Sequence, residues 1–207
     1  SSASFPIAAA CMVPGSEIFI RHVGINPLRD GFIDTLVEMG AKIKVMNRQH
    51  NAGELVADIK VTYSPHLKGL EVPAHRAARM IDEYPILSMV AATANGPTIM
   101  KGIRELRYKE SDRIESIEKG LQDSGVDVIA GEDTLVVNGS GRESIKGGCQ
   151  INAYNDHRIA MSFTCLGLAS EKAIQINGAN SIHTSFPNFV DLMHSIGACI
   201  TISKNKA

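Results

Sequence analysis

The sequence predicts a mixed α/β (α+β) domain assembled from three copies of one folding unit, and three observations predict it. Apolar Ala/Ser/Met-rich stretches of helical length occur three times, each followed by a turn and a short β-branched run. The glycine opening the loop after each run (Gly24, Gly102, Gly178) recurs roughly every 75–80 residues, long for a solenoid repeat and suited to a βα-rich unit. The amphipathic helix after each loop stops at a glycine in C-cap position, Gly40, Gly125 or Gly197, where a positive φ is expected.

Taken in order, the first unit opens on the helix SSASFPIAAACMV, with Ser1, Ser2 or Ser4 as its cap. It turns at Pro14-Gly15, runs through the strand EIFIRHV, and closes on the strand AKIKV after its second helix. The second unit opens at MIDEYPIL, where Asp82 stands as a cap and Pro85 in the first turn. It turns at Gly96-Pro97 and closes on VDVIA. The third opens at NDHRIAMSF, turns at Ser170-Glu171 and closes on ACITI. Two further strand candidates, ADIKVTY and TLVVNG, lie between units, so each unit reads β-α-β-α-β-β and three of them surround one core. The first unit lacks the strand that should precede its opening helix, and the chain starts at Ser1 without Met. Both features predict that residues 1–207 are one domain of a longer protein, with roughly half of that protein missing.

Composition narrows the function classes. In 207 residues, 21 Lys+Arg face 22 Asp+Glu, which is no basic footprint for nucleic acid. Hydrophobic residues make up 44%, enough for a packed core and against wholesale disorder, yet no run approaches the ~20 residues of a membrane helix. The four cysteines Cys11, Cys149, Cys165 and Cys199 include no C-x-x-C pair, and three stand in apolar surroundings. They read as buried free thiols of a soluble cytoplasmic protein. The His residues have no zinc-ligand spacing, and neither a phosphate-binding glycine loop nor a nucleophile elbow is present, so no metal and no cofactor is expected. The G-x-G of VVNGSGRES falls in a turn.

Three polar clusters carry the chemistry. In Arg104-Glu105-Leu106-Arg107-Tyr108-Lys109-Glu110-Ser111-Asp112-Arg113, helical spacing puts Lys109, Asp112 and Arg113 on one face and makes Glu110 and Arg113 neighbours. A helix start with Lys109 and Arg113 on it suits phosphate or carboxylate; the plain alternative is a solvated face of ion pairs. In Asn155-Asp156-His157-Arg158, Asp156 or Asn155 can cap, while His157 and Arg158 in the first turn oppose the helix dipole unless an anion lies between them. Asp82 takes the position of Asp156 in the repeat. Together these helix starts point to one polyanion-binding end of the domain.

The run LRYKESDRI, with NDHRIAMSF downstream and MIDEYPIL upstream, resembles the C-terminal half of the 3-phosphoshikimate 1-carboxyvinyltransferase (5-enolpyruvylshikimate-3-phosphate synthase) family. The resemblance covers the whole chain, from SSASFPIAAA to TSFPNFVDLM. It implies one domain of the inside-out α/β barrel type, and places the missing first strand at the far N-terminus of the intact enzyme. It implies transfer of the carboxyvinyl group of phosphoenolpyruvate to the 5-hydroxyl of shikimate 3-phosphate with release of phosphate, in aromatic amino-acid biosynthesis. Its partners would be these two small molecules and the missing N-terminal domain, with no nucleic acid and no membrane. On this resemblance Asp82 is the proton acceptor at the hydroxyl and Glu110 the proton donor. Lys109 contacts the shikimate phosphate and shares acid–base work; Arg113 and Arg158 bind phosphoenolpyruvate with His157 beside them. Asp112 orients the arginines, with Asp156 in the same supporting layer. Many members carry a Lys before the F-P near the C-terminus; here Thr184 or Ser185 stands there, as in a subgroup associated with glyphosate tolerance. The rival readings are the related transferase that acts on a UDP-sugar, and a non-catalytic anion-binding module when the chain is isolated.

Overall fold

A computed structural model describes residues 1–141 and 145–203. Unit one comprises α1 (Ser4–Met12), β1 (Glu17–Gly24), α2 (Gly31–Glu38), β2 (Lys42–Asn51) and β3 (Glu54–Thr62). Unit two comprises β4 (Glu71–Val72), α3 (Tyr84–Thr93), β5 (Asn95–Lys101), α4 (Arg113–Asp123), β6 (Asp127–Ala130) and β7 (Thr134–Ser140). Unit three comprises β8 (Gln150–Asn152), α5 (His157–Gly167), β9 (Gln175–Asn177), α6 (Ile182–Ser185) and α7 (Phe189–Ser195). Unit two therefore shows the full β-α-β-α-β-β order.

Helices that are apolar on every side must be covered on every side, and this sets the architecture. All residues of α1 and α3 are buried, and α1, α3 and α5 pack on one another at the centre. At nine to eleven residues these helices would be marginal alone, so burial rather than propensity holds them. Three separate sheets lie around them: β1-β3-β2, β4-β5-β7-β6 and β8-β9. Alternation along β7 turns one face of its sheet inward. At the α4–α5 contact, a Cβ on Gly120 would stand 2.3 Å from the Phe163 ring, so only glycine permits the approach.

β4 pairs with β5, and β8 with β9, in parallel across a central helix, while the remaining ladders are antiparallel. The order β5-β7-β6 repeats β1-β3-β2. Among the described residues nothing takes beside β1 the place that β4 takes beside β5. Nearby, an apolar groove of about 350 Å³ runs along Pro6, Ala10, Val13, Ile18, Met193 and Ile196.

Gly40, Gly125 and Gly197 have φ of 92°, 89° and 96°, as the C-cap pattern predicts. Several local expectations fail. ACITI forms no strand, because no strand among the described residues pairs with it; Ala198 N–H donates instead to the Met193 carbonyl and the Ile200 carbonyl meets the His194 ring. The third unit's second helix breaks into α6 and α7 around Pro187. No serine caps α1, since Ser4 Oγ donates to the Ser1 carbonyl. Gly96-Pro97 lies within β5 opposite Gly139 and Asn138 rather than forming a separate turn. VVNGSGRES runs into residues 142–144, outside the described residues. All four cysteines are free; Cys11 and Cys165 are buried, Cys149 is half-buried and Cys199 exposed.

Candidate active site

Three helix starts meet at one end of the central bundle. α4 begins at Arg113 behind Asp112, whose carboxylate accepts from Glu115 N–H at 3.0 Å. α5 begins behind Asp156, which accepts from the N–H groups of Arg158 at 2.9 Å and Ile159 at 3.3 Å. The turn into α5 places Tyr154 and Asn155 at φ of 50° and 57°, costly for Tyr154 and characteristic of functional turns. α3 follows a 3₁₀ turn, Ile81–Glu83, that carries Asp82.

Arg113 ties these starts together. Its guanidinium is 1% exposed, and it donates to Asp156 (2.8 and 3.3 Å), Asp82 (3.0 Å) and Glu110 (2.6 Å). Asp156, fully buried, also accepts from Ser111 Oγ at 3.0 Å. Lys109 Nζ lies 3.6 Å from Asp82 and 2.5 Å from Glu105. Arg158 arrives from α5: Nη1 donates to the Asp82 carbonyl at 2.9 Å and lies 3.5 Å from Glu83, while Nη2 is 3.9 Å from the Asp82 carboxylate. Asp82, Lys109, Glu110, Arg113, Asp156 and Arg158 thus form one connected cluster, with His157 between two of its members.

The electrostatics follow from burial and neighbours. Burial pushes the Asp82 carboxyl up, but Arg158, Lys109 and Arg113 outweigh it and hold the pKa below the ordinary value. Burial acts the same way on Asp156, and Arg113 reverses it, so that carboxyl is also lowered. The Glu105 hydrogen bond raises Lys109, keeping it a cation at neutral pH. Burial lowers His157 below 6.5 despite Asp156 and Glu110, so its imidazole is neutral at pH 7. Glu83 moves the other way: burial raises it, with Arg158 opposing.

Tertiary structure corrects several sequence assignments. Lys109 and Glu110 lie in the link between the 3₁₀ turn Arg104–Tyr108 and α4, so no helical face aligns Lys109 with Asp112 and Arg113, while Glu110 does meet Arg113 three residues on, at 2.6 Å. Asp82 caps nothing; its carboxylate is taken up by cations of other segments. Asp112 caps α4 and pairs with Arg107 at 2.7 Å, leaving the orienting of Arg113 to Asp156. At the start of α5, His157 is neutral and Arg158 turns toward Asp82 and Glu83, which relieves the conflict with the helix dipole. Thr184 and Ser185 are exposed on α6, and the Thr184 hydroxyl donates to the Ser181 carbonyl at 2.7 Å. The sequence reading missed Glu83 and Ser111. Next to Asp82 at a helix start, Glu83 reads as an ordinary dipole complement, and no local pattern aims Ser111 at a carboxylate 45 residues away.

Converging helix N-termini, three cations and an ionised carboxylate suit a small polyanion together with a proton to be moved. That defines the class: a repeat-built α/β domain whose helix starts gather cations and carboxylates at one end, an arrangement suited to an anionic small molecule. A model of the EPSP synthase (3-phosphoshikimate 1-carboxyvinyltransferase) family matches residues 1–193, and the chain belongs to that family. It is 48% identical over 201 residues to the 3-phosphoshikimate 1-carboxyvinyltransferase of Dinoroseobacter shibae, covering 97% of this chain and 45% of the relative. To that of Cereibacter sphaeroides it is 53% identical, covering 96% and 44%. The chain therefore spans about half the length of the curated relatives it matches. The EPSP synthase of Acinetobacter baumannii superposes with a TM-score of 0.94 at 39% identity, over 98% of this chain and 46% of that one. The enolpyruvyl transferase NikO of Streptomyces tendae shares the fold, with a TM-score of 0.73 at 18% identity and 96% and 43% coverage. No helix among the described residues is long and apolar enough to cross a membrane.

Proposed function

We propose that this chain is the C-terminal domain of a 3-phosphoshikimate 1-carboxyvinyltransferase. In this reading it works with an N-terminal domain to join phosphoenolpyruvate to the 5-hydroxyl of shikimate 3-phosphate. The observation that carries the proposal is the grip on Arg113: one buried guanidinium held at once by Asp82, Glu110 and Asp156, carboxylates from three segments. A structural ion pair needs one of them.

The reaction is addition followed by elimination, and it needs a proton acceptor at the hydroxyl, a proton donor at the methylene carbon and cations for the phosphates and carboxylate. Asp82, ionised by its cationic neighbours, takes the hydroxyl proton. Glu110 is half exposed and among the described residues bonds Nη2 of Arg113 alone, so it can turn to deliver a proton to carbon and leave that N–H to the phosphoenolpyruvate carboxylate or phosphate. Arg158 supplies the second anchor for phosphoenolpyruvate, beside the neutral His157. Lys109, a persistent cation, serves the shikimate phosphate and polarises the Asp82 pair rather than acting as a base. Asp156 and Ser111 keep Arg113 aimed; Asp112 supports the start of α4.

The open place beside β1 and the groove along α1 support a further part of this reading: a strand from the N-terminal part of the full protein completes unit one. The test is to produce this chain together with the N-terminal half of the Dinoroseobacter shibae relative. Phosphate release is expected only when both halves and both substrates are present. A well-folded complex that releases none from this substrate pair would overturn the proposal.

A further inference from the structure

We infer that Glu83 is a positioning residue for Arg158, fixing that guanidinium at the start of α3 so that it meets phosphoenolpyruvate ready-oriented. The inference rests on the transferase reading above. Glu83 is the residue just before α3, yet its side chain makes no cap hydrogen bond. It is 8% exposed, and among the described residues its ion-pair partner is Arg158, at 3.5 Å. A carboxylate that is buried and does not cap costs stability unless a cation compensates it.

The geometry gives the pair a purpose. Arg158 belongs to α5, 75 residues further along the chain, and reaches Glu83 with only 12% of its side chain exposed. Glu83 and the Asp82 carbonyl both engage Nη1, at 3.5 and 2.9 Å, whereas the Asp82 carboxylate stands 3.9 Å from Nη2. Asp82 loses its charge when it accepts the hydroxyl proton, and with it its attraction for Arg158. Glu83 takes no part in that transfer, so its hold persists through the step. The Ser1 amino group and, more weakly still, Arg29 also act on Glu83 electrostatically, both less than Arg158. Fixing a long flexible side chain before binding removes an entropy cost that the ligand would otherwise meet.

The test uses the two-half complex and reads phosphoenolpyruvate binding by calorimetry beside steady-state kinetics. Glu83→Gln is expected to raise Kd and KM for phosphoenolpyruvate about tenfold, as loss of one charge-assisted contact should, with kcat within twofold and melting temperature nearly unchanged. Glu83→Asp keeps the charge but draws it back, and should lose about threefold on the same scale. In an Arg158→Ala background both substitutions should fall silent, because their effect passes through that arginine. Unchanged Kd in the Glu83 variants, or a loss that persists in full without Arg158, would overturn the inference. A complex that binds phosphoenolpyruvate but releases no phosphate would sink the transferase reading alone, since the cycle is read on binding. A complex that binds no phosphoenolpyruvate would sink both.

Discussion

Two buried arginines, Arg76 and Arg113, look alike by exposure and differ in company. Arg76, in the 3₁₀ turn Ala74–Arg79, makes a two-pronged pair with Glu38 at 2.7 Å for each prong and donates to Thr35 at 3.0 Å. That is one cation, one carboxylate and a hydroxyl, fastening the turn onto α2. Neighbouring Arg79 also fastens this turn but is more exposed, its side chain 31% open to solvent while it donates to two carboxylates, Asp30 and Asp34, and to the Pro27 carbonyl. Arg113 instead collects three carboxylates, which repel one another and are tolerable only because Lys109 and Arg158 share the load. A staple needs charge balance; Arg113 sits among more ionisable groups than its own charge requires, with Asp156 fully buried and Asp82 and Glu110 partly open to solvent. The lesson is that burial of a cation alone does not mark a site, while an excess of partners around it does.

The comparison breaks first on stability. Arg113→Ala would strand Asp156, which has no solvent access, and is expected to cost about 3–5 kcal/mol in urea unfolding. Next comes catalysis in the two-half complex. Glu110→Gln and Asp82→Asn should each lower kcat by about 10²–10⁴-fold with little change in substrate binding. Unchanged kcat would return both to ion pairing. Arg76→Ala should cost less, about 1–2 kcal/mol, because Glu38 is half exposed and rehydrates, and it should leave kcat/KM untouched. An Arg76 variant that matched Arg113→Ala in both assays would erase the distinction.

A smaller effect concerns pH. The neutral His157 is favoured in the folded state, so the unfolded chain takes up the proton first as pH falls. The stability it contributes is present above pH 6.5 and drains away below that value as its lowered folded pKa is approached. Urea midpoints at stepped pH should show this slope, and His157→Gln should flatten it. Smallest of all is Thr98→Val in β5. The Thr98 hydroxyl is buried without a hydrogen-bond partner among the described residues, so its removal should leave stability within about 0.5 kcal/mol or raise it slightly. A loss beyond 1 kcal/mol would mean that the hydroxyl has a partner after all.

What could be read without coordinates was whatever repeats or acts locally. The all-apolar stretches around Ala8 and Val90 announce helices that must be enclosed. The three C-cap glycines announce positive φ, and the charged runs around Arg113 and Arg158 announce where the polar chemistry gathers. Asp156 as a cap was legible too, since capping needs only the next three residues. Pairings across the units were not. Whether Asp82 caps a helix or faces Arg113, and whether Asp112 or Asp156 holds that arginine, depends on how helix starts 31 and 43 residues apart in sequence are brought together. ACITI has the composition of a strand and fails to be one, because a strand exists only beside a partner, and the partner is a matter of tertiary arrangement. Sequence by itself determined the elements and their repeat, since periodicity, capping and glycine φ are properties of neighbouring residues. Tertiary structure alone decided which charges meet between segments, because Coulomb attraction and desolvation depend on distance in space, and spacing along the chain reaches only near pairs such as Glu110 and Arg113.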